Sequence, residues 1–256
     1  MPTSSESYAN AISSSSDDVQ GNEMDLEVFR PWIQDVHLKS DKISEYREGF
    51  SSSPARLLSI KSFLREDVAT RLAQCLEREI EFKPTFAVYP SKRVTEEEWM
   101  REDEPKRFFR FSQLAGIRSE YQMGRNVLTY LRFRKAFLDP KFIRFFEAVS
   151  GLPLSPTDDF SLHRMDRGDY LRIHNDVHET RRLAFVMYLT PEWKASFGGS
   201  LHMKDEGGQV TKVSPEYNSI VIFDVKAKTQ HSVEEIASGA GESARLSMGG
   251  WFHERS

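Results

Sequence analysis

From Phe160 onward the sequence breaks into short apolar runs separated by glycine-bearing turns, and this rhythm restricts the fold more than any other feature. Strands are predicted over 160–165, 169–174, 182–190, 200–203, 209–213, 219–224, 231–236 and 244–253. Between them lie Arg167-Gly168-Asp169, Phe197-Gly198-Gly199, Glu206-Gly207-Gly208 and Gly239-Ala240-Gly241, where glycine supplies backbone angles that other residues avoid. Short strands at this even spacing predict a double-sheet jelly roll or barrel.

Upstream the period changes to that of helices. After a short apolar strand near 57–63, Glu66-Asp67 open a helix through Val68, Leu72, Cys75, Leu76 and Ile80, with acids favouring its first turn. A second helix is predicted over 126–138. A third runs from the N-cap pair Asp139-Pro140 to Gly151, with Phe142, Ile143, Phe145 and Phe146 expected in the core. Helices first and strands second give an α+β fold whose helices flank one face of the sheet. The domain is expected over 55–256, after an extension at 23–54 in which Phe29, Trp32 and Ile33 suit a short packing helix. Residues 1–22, rich in Ser, Asp and Asn, read as a disordered tail, because they offer little apolar surface to offset the cost of ordering. Residues 84–125, crowded with charge and punctuated by Pro84, Pro90 and Pro105, read as an irregular excursion. It is either a solvated loop or a lid that contacts substrate.

Composition removes several function classes. A net charge of -4 gives no basic field for nucleic acid. Cys75 is the only cysteine, which excludes an internal disulfide and a cysteine-rich zinc knuckle. The N-terminus has no signal-peptide pattern, and no run approaches the roughly 18 apolar residues of a membrane span. A soluble, cytoplasmic protein with no membrane partner is expected; its oligomeric state is not legible.

Within the strand-rich half, His174-Asn175-Asp176 and His231 supply two imidazoles and a carboxylate. Three such ligands on one face of a metal leave the opposite face open, the arrangement of a non-haem Fe(II) site that activates O2. His-x-Asp puts two ligands on the same side of an extended strand, and Asn175 on the other. Arg245 lies in an otherwise buried strand, Ala244 to Phe252. A buried guanidinium needs a partner, either an internal acid or the carboxylate of a bound diacid. Ser247 shares its face, and Tyr188 on the third predicted strand is a third polar candidate.

Together these residues resemble the Fe(II)/2-oxoglutarate-dependent oxygenases, in the prolyl-hydroxylase-like branch. The resemblance is strongest to the catalytic domain of the ribosomal-protein prolyl hydroxylases. It is carried by Arg181 to Trp193, Gly198-Gly199-Ser200-Leu201, Ile220 to Val225 and Gly250-Trp251-Phe252-His253. It covers about 160–254 well, 55–150 more faintly, and the first 40 residues not at all. The resemblance implies a double-stranded β-helix, with Fe(II) held by His174, Asp176 and His231. It also implies 2-oxoglutarate held by Arg245 with Tyr188 and Ser247, O2 as oxidant and ascorbate as reductant. The Asp176 carboxylate favours hydroxylation, since relatives that halogenate lack it.

Two departures stand out. The relatives' second, degenerate barrel has no counterpart before Ser256, and a tyrosine that lines their co-substrate pocket is replaced in the stretch containing Arg164 and Met165. A ribosomal-protein substrate therefore does not carry over. The expected substrate is a prolyl residue in a protein or, alternatively, a smaller amino-acid-like molecule. Arg181, Arg182 and His163 are the candidate substrate contacts, with one of the two arginines expected to face the mouth by alternation. His178, His202 and His253 read as surface or strand-edge residues, His37 as outside the domain, and Trp251 as core. The competing readings are a non-catalytic sensor of metal or diacid, and a cupin-like enzyme with another metal.

Overall fold

The computed structural model describes residues 26–156 and 158–255; the Ser-rich tail read at 1–22 lies outside the described residues. Two four-stranded antiparallel layers form the core. One contains β6 (Phe160–Met165), β13 (Arg245–Glu254), β8 (Arg181–Tyr188) and β11 (Ser219–Asp224). The other contains β7 (Tyr170–His174), β12 (Gln230–Val233), β9 (Leu201–Lys204) and β10 (Val210–Val213). β1 (Leu57–Ile60) extends the first layer beyond β11. The jelly roll is the one expected from the turn spacing.

Period-two alternation decides what each layer buries. On β13, Leu246, Met248 and Phe252 face the helices, whereas Arg245, Ser247, Gly249 and Trp251 face the interior between the layers. On β8, Leu183, Phe185 and Met187 take the helical side, and Ala184, Val186 and Tyr188 the interior. The helical side is closed by α4 (Arg125–Phe137) and α5 (Pro140–Ser150). Phe137 packs on Phe185 with ring centroids 4.8 Å apart, and Phe146 on Phe252 at 4.9 Å. Each such fully buried phenylalanine contributes about 1.5–3 kcal/mol. Asp139 caps α5 by accepting from Lys141 N at 2.8 Å, and Gly151 ends it in the left-handed region.

The apolar residues of the N-terminal extension pack on the domain: Phe29, Ile33 and Phe50 are fully buried, and Phe29 packs 5.2 Å from Phe142. Three expectations are corrected. His37 is likewise buried, between Tyr46 Oη at 2.7 Å and the Ser62 carbonyl at 2.9 Å. Residues 84–125 are not irregular. They hold most of β2 (Ile80–Val88), then β3 (Lys92–Val94), α3 (Glu96–Arg101) and β4 (Arg107–Ile117). β4 joins the two layers, pairing with β6 at Ser112 and Gln113 and with β7 at Phe109 and Arg110. Its charges misled the reading because they have specific partners: Arg110 pairs with Asp169 at 2.7 Å, and Arg107 lies 4.6 Å over the Trp99 ring. Finally, Asp176 is not on a strand. β7 ends at His174, and the carboxylate hangs from the loop that follows.

Candidate active site

β7 and β12 are neighbours, and their register places His174 directly opposite His231. The imidazole centroids are 4.1 Å apart. Asp176 folds back between them, with Oδ1 3.4 Å from His174 Nε2 and Oδ2 3.4 Å from His231 Nε2. One donor atom from each of the three residues lies within 4.8 Å of the others. His174 Nδ1 sits 2.9 Å from the Arg172 carbonyl. A carbonyl only accepts, so Nδ1 carries the proton and Nε2 keeps its lone pair for a metal. Burial pushes His231 below its ordinary pKa despite the adjacent carboxylate, favouring the neutral, ligating form. Burial alone would raise the Asp176 carboxyl, but His174 and His231 outweigh it and hold the group well below the usual carboxylate range.

The three residues open into a cavity of about 540 Å3 between the layers. At its inner end lies Arg245, 4% exposed, with its guanidinium carbon 4.7 Å over the Tyr188 ring. Nη1 donates to Ser247 Oγ and Met165 Sδ, each at 3.4 Å. Among the described residues no acid pairs with Arg245, and neither its Nε nor Tyr188 Oη has a hydrogen-bond partner. The internal-acid reading therefore loses its support, and the arginine is left as an open cation facing a cavity. Gly199 makes room for it. Its φ is 71°, and a Cβ there would stand 2.9 Å from Arg245 Cδ. Met165 occupies the wall beside Arg245, whereas Arg164 turns out to pair with Asp166 at 2.8 Å.

The expected substrate contacts divide. Arg181 lines the cavity, with its guanidinium carbon 3.5 Å from the Trp251 ring centroid and Nε 3.5 Å from Asp159 Oδ2. Arg182 does not face it: alternation turns it to Asp224, 2.7 Å away, in an ion pair on the other side of the strand. His163 lies in the cavity wall, 3.4 Å from Gln113 Nε2. Burial, helped by the Arg245 and Arg93 cations, lowers its pKa to about 4, so it is neutral at pH 7. His178 is exposed at the rim, and His202 and His253 approach Glu234 and Asp159.

Two functional candidates escaped the sequence reading. Trp251, read as core, faces the cavity and donates from Nε1 to Asp176 Oδ2 at 3.0 Å. The alternation that placed Arg245 and Ser247 on one face was the signal for it. Arg93 on β3 also lines the cavity, 5.1 Å over the Phe109 ring, with no acidic partner among the described residues. No local pattern marks it.

The family model of the 2OG-Fe(II) oxygenase superfamily matches residues 160–253, which hold all three donors and Arg245. Over these residues the chain is similar to the 2OG-Fe(II) oxygenase superfamily. It is 32% identical to the mouse protein named prolyl 3-hydroxylase OGFOD1 over 151 residues, 57% of this chain. The match spans 26% of that relative's length. The fold is similar to a crystal structure of a prolyl-4-hydroxylase from Pseudomonas putida, with a TM-score of 0.52, 19% identity and coverage of 83% and 99% of the two chains. A Trichoplax adhaerens prolyl hydroxylase in complex with a hypoxia inducible factor peptide fragment gives a TM-score of 0.56, 13% identity and coverage of 84% and 94%. At these identities the two structures speak for the fold alone.

The residues present fit the groups this family uses. The donor set is two imidazoles and a carboxylate, which suits Fe(II). The open, buried guanidinium beside an unpartnered tyrosine hydroxyl suits the distal carboxylate of a diacid.

Proposed function

We propose that the protein is an Fe(II)- and 2-oxoglutarate-dependent oxygenase that hydroxylates a prolyl residue in a protein substrate. The observation that carries the reading is the pairing, in one cavity, of the His174, Asp176 and His231 donors with a buried Arg245 that has no acid of its own. His174, Asp176 and His231 would hold the metal; Arg245, with Tyr188 and Ser247, would hold the far carboxylate of 2-oxoglutarate. When bound, the metal and co-substrate supply the oxidation that puts one oxygen of O2 into a substrate C–H bond and releases succinate and CO2.

The chain's own residues do the rest. The Arg172 carbonyl fixes the His174 tautomer, and Trp251 steadies Asp176. Phe108 stands edge-on to His174 at 5.3 Å, and Phe223 lies 5.0 Å from His231. These rings exclude water from the ligand side, which strengthens electrostatic contacts there. Neutral His163 and Gln113 offer hydrogen bonds without adding charge beside Arg245. Ascorbate is the reductant expected to keep the metal ferrous.

The prolyl and protein parts of the reading are supported by the name of the mouse relative and by the cavity's rim. There Val177, 64% exposed, and Pro90 both line the cavity and offer apolar surface on which a peptide can lie. The β2–β3 turn borders the rim and is tied to the metal strand, since Tyr89 Oη donates to the Ile173 carbonyl at 3.0 Å. The protein supplied with Fe(II) and ascorbate is expected to convert 2-oxoglutarate to succinate, and Asp176→Ala to abolish that turnover. Turnover that survives Asp176→Ala would place the site elsewhere.

A further inference from the structure

We infer that Trp251 and Arg181 form a positioning pair that fixes the Asp176 carboxylate, an inference that rests on the metal-site reading above. Asp176 lies in a loop, so no strand pairing sets its direction. Its polar neighbours are His174 Nε2, His231 Nε2 and Trp251 Nε1. The two histidine nitrogens are the atoms a metal takes, and a nitrogen that ligates through its lone pair carries no proton to donate. His174 has its proton on Nδ1, toward the Arg172 carbonyl. The indole N–H can only donate. Trp251 is thus the donor that stays with Asp176 Oδ2 in the empty and the loaded site alike, leaving Oδ1 without a fixed donor.

Trp251 is itself held from two sides by one residue. Its backbone N donates to the Asp159 carbonyl at 3.1 Å, while the Asp159 carboxylate lies 3.5 Å from Nε of the Arg181 stacked on the indole. Gly250 permits this approach, because a Cβ there would fall 1.7 Å from the Asp159 carbonyl oxygen. Arg181 lies 3.5 Å from the ring centroid and so acts on Asp176 through Trp251.

The test is Co(II) titration of the metal-free protein, read by visible absorption, for wild type, Trp251→Phe, Arg181→Met and the double variant, with circular dichroism to establish folding. Trp251→Phe keeps the ring and removes the donor. It is expected to weaken Co(II) binding by about 10–100-fold, as loss of a partner behind a ligand does, and to alter the ligand-field bands. Arg181→Met, which loosens the ring, is expected to weaken binding by roughly 2–5-fold, in line with an exposed cation–π contact. Adding it to Trp251→Phe should change nothing further. Wild-type affinity and spectrum in Trp251→Phe would overturn the inference, and an Arg181→Met loss that adds in full would remove Arg181 from it. If Trp251→Phe does not fold, Arg181→Met decides alone: unchanged bands overturn the inference. A wild-type protein that binds no Co(II) would instead sink the metal-site reading.

Discussion

Replacing Arg245 by methionine separates a structural arginine from a ligand-binding one, because the two roles predict opposite results. Arg245 is 4% exposed, has no acidic partner among the described residues, and leaves its Nε unbonded. In the ligand-free protein the guanidinium is therefore a buried charge offset only by Ser247 Oγ, Met165 Sδ and the Tyr188 ring. Methionine replaces the aliphatic stem of the arginine and carries no charge. Replacing buried charges by packed apolar groups is often neutral, or stabilising by about 1–4 kcal/mol. At about 2–4 °C per kcal/mol for a chain of this size, Tm without ligand should hold or rise by up to roughly 16 °C. The effect on 2-oxoglutarate is the reverse. Breaking a buried charge pair costs about 3–5 kcal/mol, which weakens Kd by roughly a hundred- to several-thousand-fold. The assay is thermal unfolding with and without 2-oxoglutarate, using a redox-inert divalent metal so that no turnover occurs. Wild type should gain Tm with the ligand, and Arg245→Met should not. A variant that loses several kcal/mol of stability without ligand yet still gains Tm with 2-oxoglutarate would refute the reasoning.

Two further outcomes follow from the geometry. His163 has a pKa of about 4 in the fold against 6.5 as a free group. Below 6.5 the unfolded chain takes up a proton that the native state refuses, so its contribution is complete above pH 6.5 and is lost as pH falls toward 4; the difference converts to roughly 3 kcal/mol. Urea unfolding at pH 7 and pH 4.5 should show a smaller drop for His163→Gln than for wild type, and equal drops would contradict the buried, neutral assignment. Arg93 faces the cavity without an acid partner, so Arg93→Glu should raise KM for peptides with an acidic residue near the target proline by about tenfold, the effect of one charge-assisted contact. Turnover of 2-oxoglutarate without peptide should stay unchanged, and an unaltered KM would remove Arg93 from the substrate site.

The legible parts of this molecule were those written in local period. Alternation on β13 put Arg245 and Ser247 on one face, and glycine-marked turns bounded the strands of the jelly roll. The same alternation also contained Trp251, which went unread because an indole reads first as apolar filling. Alternation said that one of Arg181 and Arg182 faces the cavity but not which, because that depends on register and the partner Asp224 lies on another strand. The β2–β4 segment was hidden because its charges have partners distant in sequence, such as Arg172 on β7 bonding to Glu104. Asp176 meets its histidines through a loop rather than through the strand pleat, so the carboxylate beside them was named for the wrong geometric reason.

The most direct test of the account is incubation with Fe(II), 2-oxoglutarate and ascorbate under 18O2, with proline-containing peptides, followed by tandem mass spectrometry. The account predicts one atom of 18O on a prolyl residue, succinate formed alongside it, and neither product with Asp176→Ala. Succinate without oxygen on any prolyl residue, but with 18O on a free amino acid or other small molecule, would contradict the prolyl assignment. No consumption of 2-oxoglutarate by the metal-loaded wild-type protein would contradict the oxygenase itself.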